Sequence, residues 1–256
     1  SIKHYITNLS TDFLSTEIYP INGNINLGAA SMNTFVINLG NNPDEDTDPS
    51  NFTSITSPGN TTYYISSSEG DDSNAGLSES SPFKNLGKIN SIIFNPGDVI
   101  KFKSGDSWKG YFKLSGSGES NNRITLDSYG SGNKPIIDGN GYHAAIFINN
   151  EEYIEIRNIE VKNEATHQKD NGDLRLMNNS SLSGQNLRFG ILFLIDSNGQ
   201  NLNDFKIENV KVSNIFPTPS SGGEYQNNKY LGYGIRFESD NTQTNYFDGI
   251  DIDNLD

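Results

Sequence analysis

The residues best suited to chemistry gather in three stretches of this 256-residue chain. One is 234–240, GIRFESD, where Ile235 and Phe237 alternate with Arg236 and Glu238, and Asp240 closes the run. The others are polar excursions. Residues 164–189 carry His167, Lys169, Asp170, Asp173 and Arg175; residues 216–233 carry Glu224, Tyr225, Lys229, Tyr230 and Tyr233. If Ile235 and Phe237 face a core, the period of two sends Arg236 and Glu238 outward. An arginine beside carboxylates and tyrosines suits a sugar. Aromatic faces stack on pyranose rings, and charged groups bond hydroxyls or pair with acidic substituents.

Two reactions fit such a groove. Hydrolysis of a glycosidic bond needs two carboxyl groups flanking it. The catalytic candidates are Glu238, Asp240 and Asp170, with Asp173 and Glu224 behind them. Elimination from a uronate needs a base and neutralisation of the sugar carboxylate, often by calcium. Its candidates are His167, Lys169 and Arg236. Carboxylates outnumber bases here, so hydrolysis ranks first. It requires no cofactor; calcium enters only with elimination, and no metal ligands are assigned. The substrate-binding candidates are Arg236, His167, Lys169, Glu224, Tyr225, Tyr230 and Tyr233. A third reading is a glycan-binding or adhesion module with no catalysis.

The elements that must position these residues repeat. Stretches 153–163, 204–214 and 247–256 each alternate apolar residues, meet an asparagine, and resume the alternation: Ile154, Ile156, Asn158, Ile159, Val161; Phe205, Ile207, Asn209, Val210, Val212; Ile250, Ile252, Asn254, Leu255. A period of two predicts strands, and the asparagine shifts the phase so that both apolar sets face inward across a bend. Asparagine tolerates the left-handed conformation of a sharp corner, and its amide can bond the asparagine above and below. A third strand is predicted in 144–150, 190–196 and 234–240. Three strands per repeat, one asparagine corner and long loops at another describe an all-β right-handed parallel β-helix. An antiparallel sandwich offers no reason for asparagine at one phase. Glu155, Lys206 and Asp251 should form one outward row and Arg157, Glu208 and Asp253 another, as ordinary surface pairing.

Composition narrows the classes. Only 33% of residues are hydrophobic, which suits a thin core column. With no cysteine there is no disulfide framework. A net charge of −14 argues against nucleic acid as partner. No apolar run is long enough to span a membrane, and the opening residues do not read as a signal peptide, so Ser1 is expected to follow a removed leader or begin a shortened chain. A monomer is expected, acting on a polysaccharide or oligosaccharide as the sugar-suited side chains of 234–240 imply.

Taken in order, residues 1–40 read as a small β-strand region, either the tail of a β-sandwich or a strand region capping the β-helix. Leu27, Ala29, Ser31, Thr34, Phe35 and Val36 resemble the closing strands of a sandwich appended to glycosidases. Residues 41–62, with Pro43, Pro49, Pro58 and the acids Asp44, Glu45, Asp46 and Asp48, read as a linker. Residues 63–256 form the β-helix domain, opened by a short capping helix within 80–94, where Phe83, Leu86, Ile89 and Ile92 recur at helical spacing. This domain carries Gly70, Asp72, Asn74, Gly76, Leu77, then Pro82–Phe83, Pro96, Gly97, Asp98, and Gly105, Asp106, Trp108, Gly110. In these residues it resembles the secreted bacterial β-helical carbohydrate-active enzymes, which comprise glycoside hydrolases and polysaccharide lyases. That resemblance implies a secreted enzyme degrading an extracellular glycan, expected to be anionic. Asp71, Asp72 and Asn74 are read as structural. Because the chain stops just past an asparagine corner, further repeats are expected beyond residue 256.

Overall fold

In a computed structural model the described residues are 3–8, 11–17, 47–164, 186–197, 199–216, 230–239 and 245–256. The chain divides into two compact units, 1–42 and 43–256. In the first, Lys3–Asn8 and Thr11–Glu17 form an antiparallel hairpin. Leu27, Ala29, Ser31, Thr34, Phe35 and Val36 lie outside the described residues.

Among its described residues, the regular structure of the second unit is almost entirely β. Its first sheet has six strands: Thr62–Ile65, Val99–Lys103, Ile124–Tyr129, Ile154–Arg157, Asn201–Glu208 and Tyr246–Asp253. A second has four: Ser107–Lys109, Ile136–Asp138, Glu160–Glu164 and Lys211–Phe216. The third also has four: Phe112–Leu114, Ala144–Asn149, Asn186–Ile195 and Tyr230–Ser239. From Val99 onward the chain visits first, second and third sheet in rotation, and every pairing within the three sheets is parallel. Alternation decides what lies between them. Ile154, Ile156, Phe205 and Ile207 of the first sheet, Ile137 and Val161 of the second, and Ile146, Ile191 and Phe193 of the third share one buried core.

The predicted corner is present. Asn158, Asn209 and Asn254 have φ of 58°, 53° and 51°. Their amides form a ladder: Asn254 Nδ2 donates to Asn209 Oδ1 at 3.2 Å, Asn209 Nδ2 to Asn158 Oδ1 at 2.8 Å, and Asn158 Nδ2 to Asp127 Oδ1 at 2.7 Å. Each amide satisfies a neighbour while its backbone takes a conformation most residues resist. Asn209→Gly should therefore cost about 1 kcal/mol, through the lost amide bonds alone. Asn209→Ala should cost at least about 1 kcal/mol more, because alanine also strains the corner. Urea unfolding of the two variants checks the order; equal losses would contradict it.

The outward charge rows form as expected. Glu155, Lys206 and Asp251 are in register, as are Arg157, Glu208 and Asp253. Lys206 Nζ lies 2.6 Å from Glu208 and 3.7 Å from Glu155, and Arg157 lies 3.0 Å from Glu155 and 3.1 Å from Asp127. Burial pushes the Asp127 carboxyl up. The Asn158 amide, the Ser128 N–H and the charges of Arg157 and Lys101 outweigh it and hold the group below the ordinary range. Glu160 follows the same logic, with bonds from Lys162, Lys211 and Ser213 overcoming burial. A carboxyl lower in the folded than in the unfolded state stabilises the fold above its unfolded pKa of about 4, and that stability fades as pH falls through the lower folded value. The melting temperature should thus be level above about pH 5 and fall in acid, less steeply in Asp127→Asn, as a pH series of melts would read.

The helix expected within 80–94 is shorter than its apolar spacing predicts. Only Leu86–Asn90 is helical. Phe83 instead bridges Ile65 in parallel, and Ile92–Ile93 pairs with Ile55–Thr56. Phe83, Leu86, Ile89 and Ile92 are nonetheless all buried, so a strand–helix–strand segment mimicked one helical face. Within 47–62, Pro49–Asn51 forms a single 3-10 turn capped by Asp48, Ile55–Thr56 supplies the strand just named, and Thr47 and Ser57 are buried. Asp72 accepts the backbone N–H groups of Lys84 and Asn85, Asp98 those of Thr61 and Asn95, and buried Asp106 the hydroxyls of Ser66 and Ser68. These acids tie together the segments that lead into the three sheets.

Candidate functional site

The third sheet has an apolar outer face as well as an inner one. Ala144, Phe147, Phe189, Leu192 and Leu194 form a second buried cluster, against which Tyr111 and Tyr233 pack. Strict alternation would put Phe189 and Tyr233 on the same side as the inward Ile191 and Ile235. Instead the phase slips at Gly190 and Gly234. There the strands approach so closely that a Cβ on Gly190 would lie 2.5 Å from the carbonyl oxygen of Gly234. The slip brings Tyr233 to the outer face.

Beyond Gly234 the alternation is regular. Phe237 stacks on Phe193 inside, with ring centroids 4.4 Å apart, and Ile235 joins the same core. Arg236 and Glu238 therefore emerge outside, in register with Leu192 and Leu194. The Nε and Nη2 of Arg236 both lie 2.5 Å from one Glu238 oxygen. The same guanidinium stands over the Tyr233 ring at 4.9 Å, and Tyr233 stacks on Phe189 at 5.4 Å. The Arg236 side chain is 40% exposed and that of Glu238 20%, so both can be reached from solvent. An aromatic ring, a cation and a carboxylate thus share one face.

Of the residues singled out in the sequence, Arg236, Glu238 and Tyr233 are brought together. Tyr230 begins the same strand, its backbone in register with Asn186. His167, Lys169, Asp170, Glu224, Tyr225 and Asp240 lie outside the described residues.

One neighbour was missed by sequence reasoning. Asp196 follows the strand Asn186–Ile195, and its carboxylate accepts Asn149 Nδ2 at 3.1 Å and Asn150 Nδ2. The signal was available, since GILFLID and GIRFESD end alike, and only the second aspartate drew notice. Among the described residues, no group of three or more His, Asp or Glu side chains could hold a metal ion, and no helix is long and apolar enough to cross a membrane.

No protein-family profile matches the chain. A lacto-N-biosidase of Bifidobacterium longum subsp. longum is 39% identical over 95 residues, which is 35% of this chain and 6% of that protein. Two crystal structures of the GH136 lacto-N-biosidase from Eubacterium ramulus, native and selenomethionine-labelled, align with a TM-score of 0.56 and 21% identity. Each alignment covers 76% of this chain and 34% of the solved one. The chain thus spans a small fraction of the curated relative and about a third of the solved structures. The structural likeness is one of fold, and the proteins it is shared with are glycan-degrading enzymes by name.

Proposed function

We propose that the three sheets close into a right-handed parallel β-helix and that the chain belongs to an extracellular glycoside hydrolase. The rotation of the chain through three parallel sheets supports the first part, and the observation that carries the hydrolase reading is the grouping of Tyr233, Arg236 and Glu238 on the outer face of the third sheet. The local identity to a lacto-N-biosidase supports hydrolysis over elimination.

In the proposed reaction Glu238 acts with a second carboxyl group, Asp240 or Asp170. One protonates the leaving glycosidic oxygen; the other activates water or attacks the anomeric carbon. Tyr233 supplies a stacking face, with Tyr225 and Tyr230 as further candidate sugar-binding residues. Arg236, His167, Lys169 and Glu224 bind sugar hydroxyls. Such hydrolysis needs no metal; calcium belongs to the elimination alternative. An anionic glycan is less suited than the family resemblance alone implied. The charge of Arg236 is taken up by Glu238 at 2.5 Å, leaving little to attract a uronate. A neutral oligosaccharide fits better.

Incubating the full-length protein with neutral oligosaccharides and with uronate polymers tests this. New reducing ends without an ultraviolet-absorbing unsaturated product are expected. Appearance of the unsaturated product would replace hydrolysis with elimination. Retention of glycan with neither product would leave a binding module.

A further inference from the structure

We infer that Asp196, held by Asn149 and Asn150, is a hydroxyl-binding position for a neutral sugar residue beside the Arg236–Glu238 pair; this rests on the hydrolase reading and names its substrate class.

The placement follows from register. Leu194 is opposite Glu238 and Ile195 opposite Ser239, and Asp196 comes next. Asp196 and Glu238 thus sit on adjacent strands, offset by two residues. Strand spacing and rise put their Cα atoms roughly 8 Å apart. Asn149, two residues on from the outer-cluster Phe147 and in register with the outer-cluster Leu194, donates to Asp196, which sets the carboxylate at the end of the face that carries Glu238. A sugar chain lying across this face meets both.

The carboxylate is exposed yet fixed. Asn149 Nδ2 donates to one oxygen at 3.1 Å and Asn150 Nδ2 to the other, while Asn150 Oδ1 accepts the Asp196 N–H at 3.1 Å. Each carboxylate oxygen has a second acceptor site left over. Two such acceptors, held side by side, match the two donors of a vicinal diol. Because the rotamer is already set, little side-chain freedom is lost on binding. Charge decides the class of sugar. Glu238 is balanced by Arg236, whereas no cation pairs with Asp196 among the described residues. A uronate would be repelled here, and a neutral sugar would not.

Full-length Glu238→Gln, expected to bind with little turnover, provides the test. It is titrated calorimetrically with lactose, N,N′-diacetylchitobiose and xylobiose, and with digalacturonate. At least one neutral sugar should bind more tightly than digalacturonate. Adding Asp196→Ala should weaken it about tenfold or more, with partial recovery in Asp196→Asn and an unchanged melting temperature. In turnover assays Asp196→Ala on the wild-type background should raise KM and leave kcat within about threefold, the pattern of uniform binding. Unchanged affinity in Asp196→Ala, preference for digalacturonate, no neutral binding, or loss carried by kcat would each overturn the assignment. A sugar that binds through Asp196 but is not cleaved by the wild type would leave the position standing and remove the hydrolase reading instead.

Discussion

Glu238→Gln should lower turnover of the cleaved glycan by about a hundredfold to ten-thousandfold while leaving the protein folded and able to bind sugar. The size is that of a lost acid–base or nucleophilic carboxyl group. The fold should survive because Glu238 is not part of the core. Its strand is anchored by Ile235 and Phe237, and its carboxylate touches Arg236 at the surface. Glutamine keeps an oxygen within reach of the guanidinium but cannot carry or accept the proton. Steady-state kinetics beside a thermal melt separates the outcomes. Equal loss of activity and stability would make Glu238 structural, and unchanged activity would move the chemistry off this face.

The largest stability effect is expected from Phe205→Ala, about 3–5 kcal/mol. Phe205 is fully buried and lies edge-on to Phe193, Phe237 and Phe247 at 5.2, 5.5 and 5.5 Å. It links three successive circuits through the sheets, from Ile154 on one side to Ile250 on the other, both in register with it. Removing the ring leaves a cavity that the flanking strands cannot close, since their spacing is set by backbone hydrogen bonds. Urea unfolding reads the loss. Phe205→Leu, which retains most of the apolar volume, should recover a large part of it. A cost below about 1 kcal/mol for alanine would mean that the stack repacks freely.

Much of this architecture was legible because it repeats. The strands at 154–157, 201–208 and 246–253 share one alternation, and the asparagine after each has only a few physical reasons to recur. The ladder from Asp127 through Asn254 is one of them. The outward placement of Arg236 and Glu238 followed from the same period of two. Where the pattern misled, two periods coincided. Phe83, Leu86, Ile89 and Ile92 fit one helical face, yet the ends of that run are strand-bonded to Ile65 and to Ile55–Thr56, partners distant in sequence. The slip at Gly190 and Gly234 was equally hidden, because alternation assumes unbroken pleating. It is this slip that puts Tyr233 beside Arg236. Asp196 escaped because its importance lies in its neighbours. Asn149 and Asn150 are 47 and 46 residues away, and nothing local to Asp196 points to them.

The most direct measurement is a crystal structure of full-length Glu238→Gln soaked with the oligosaccharide that the wild type cleaves. The expected result is a sugar ring stacked at Tyr233, its hydroxyls bonded to Arg236 and Asp196, with the scissile bond at residue 238. Sugar bound over the first or second sheet, with the outer face of the third sheet unoccupied, would contradict it.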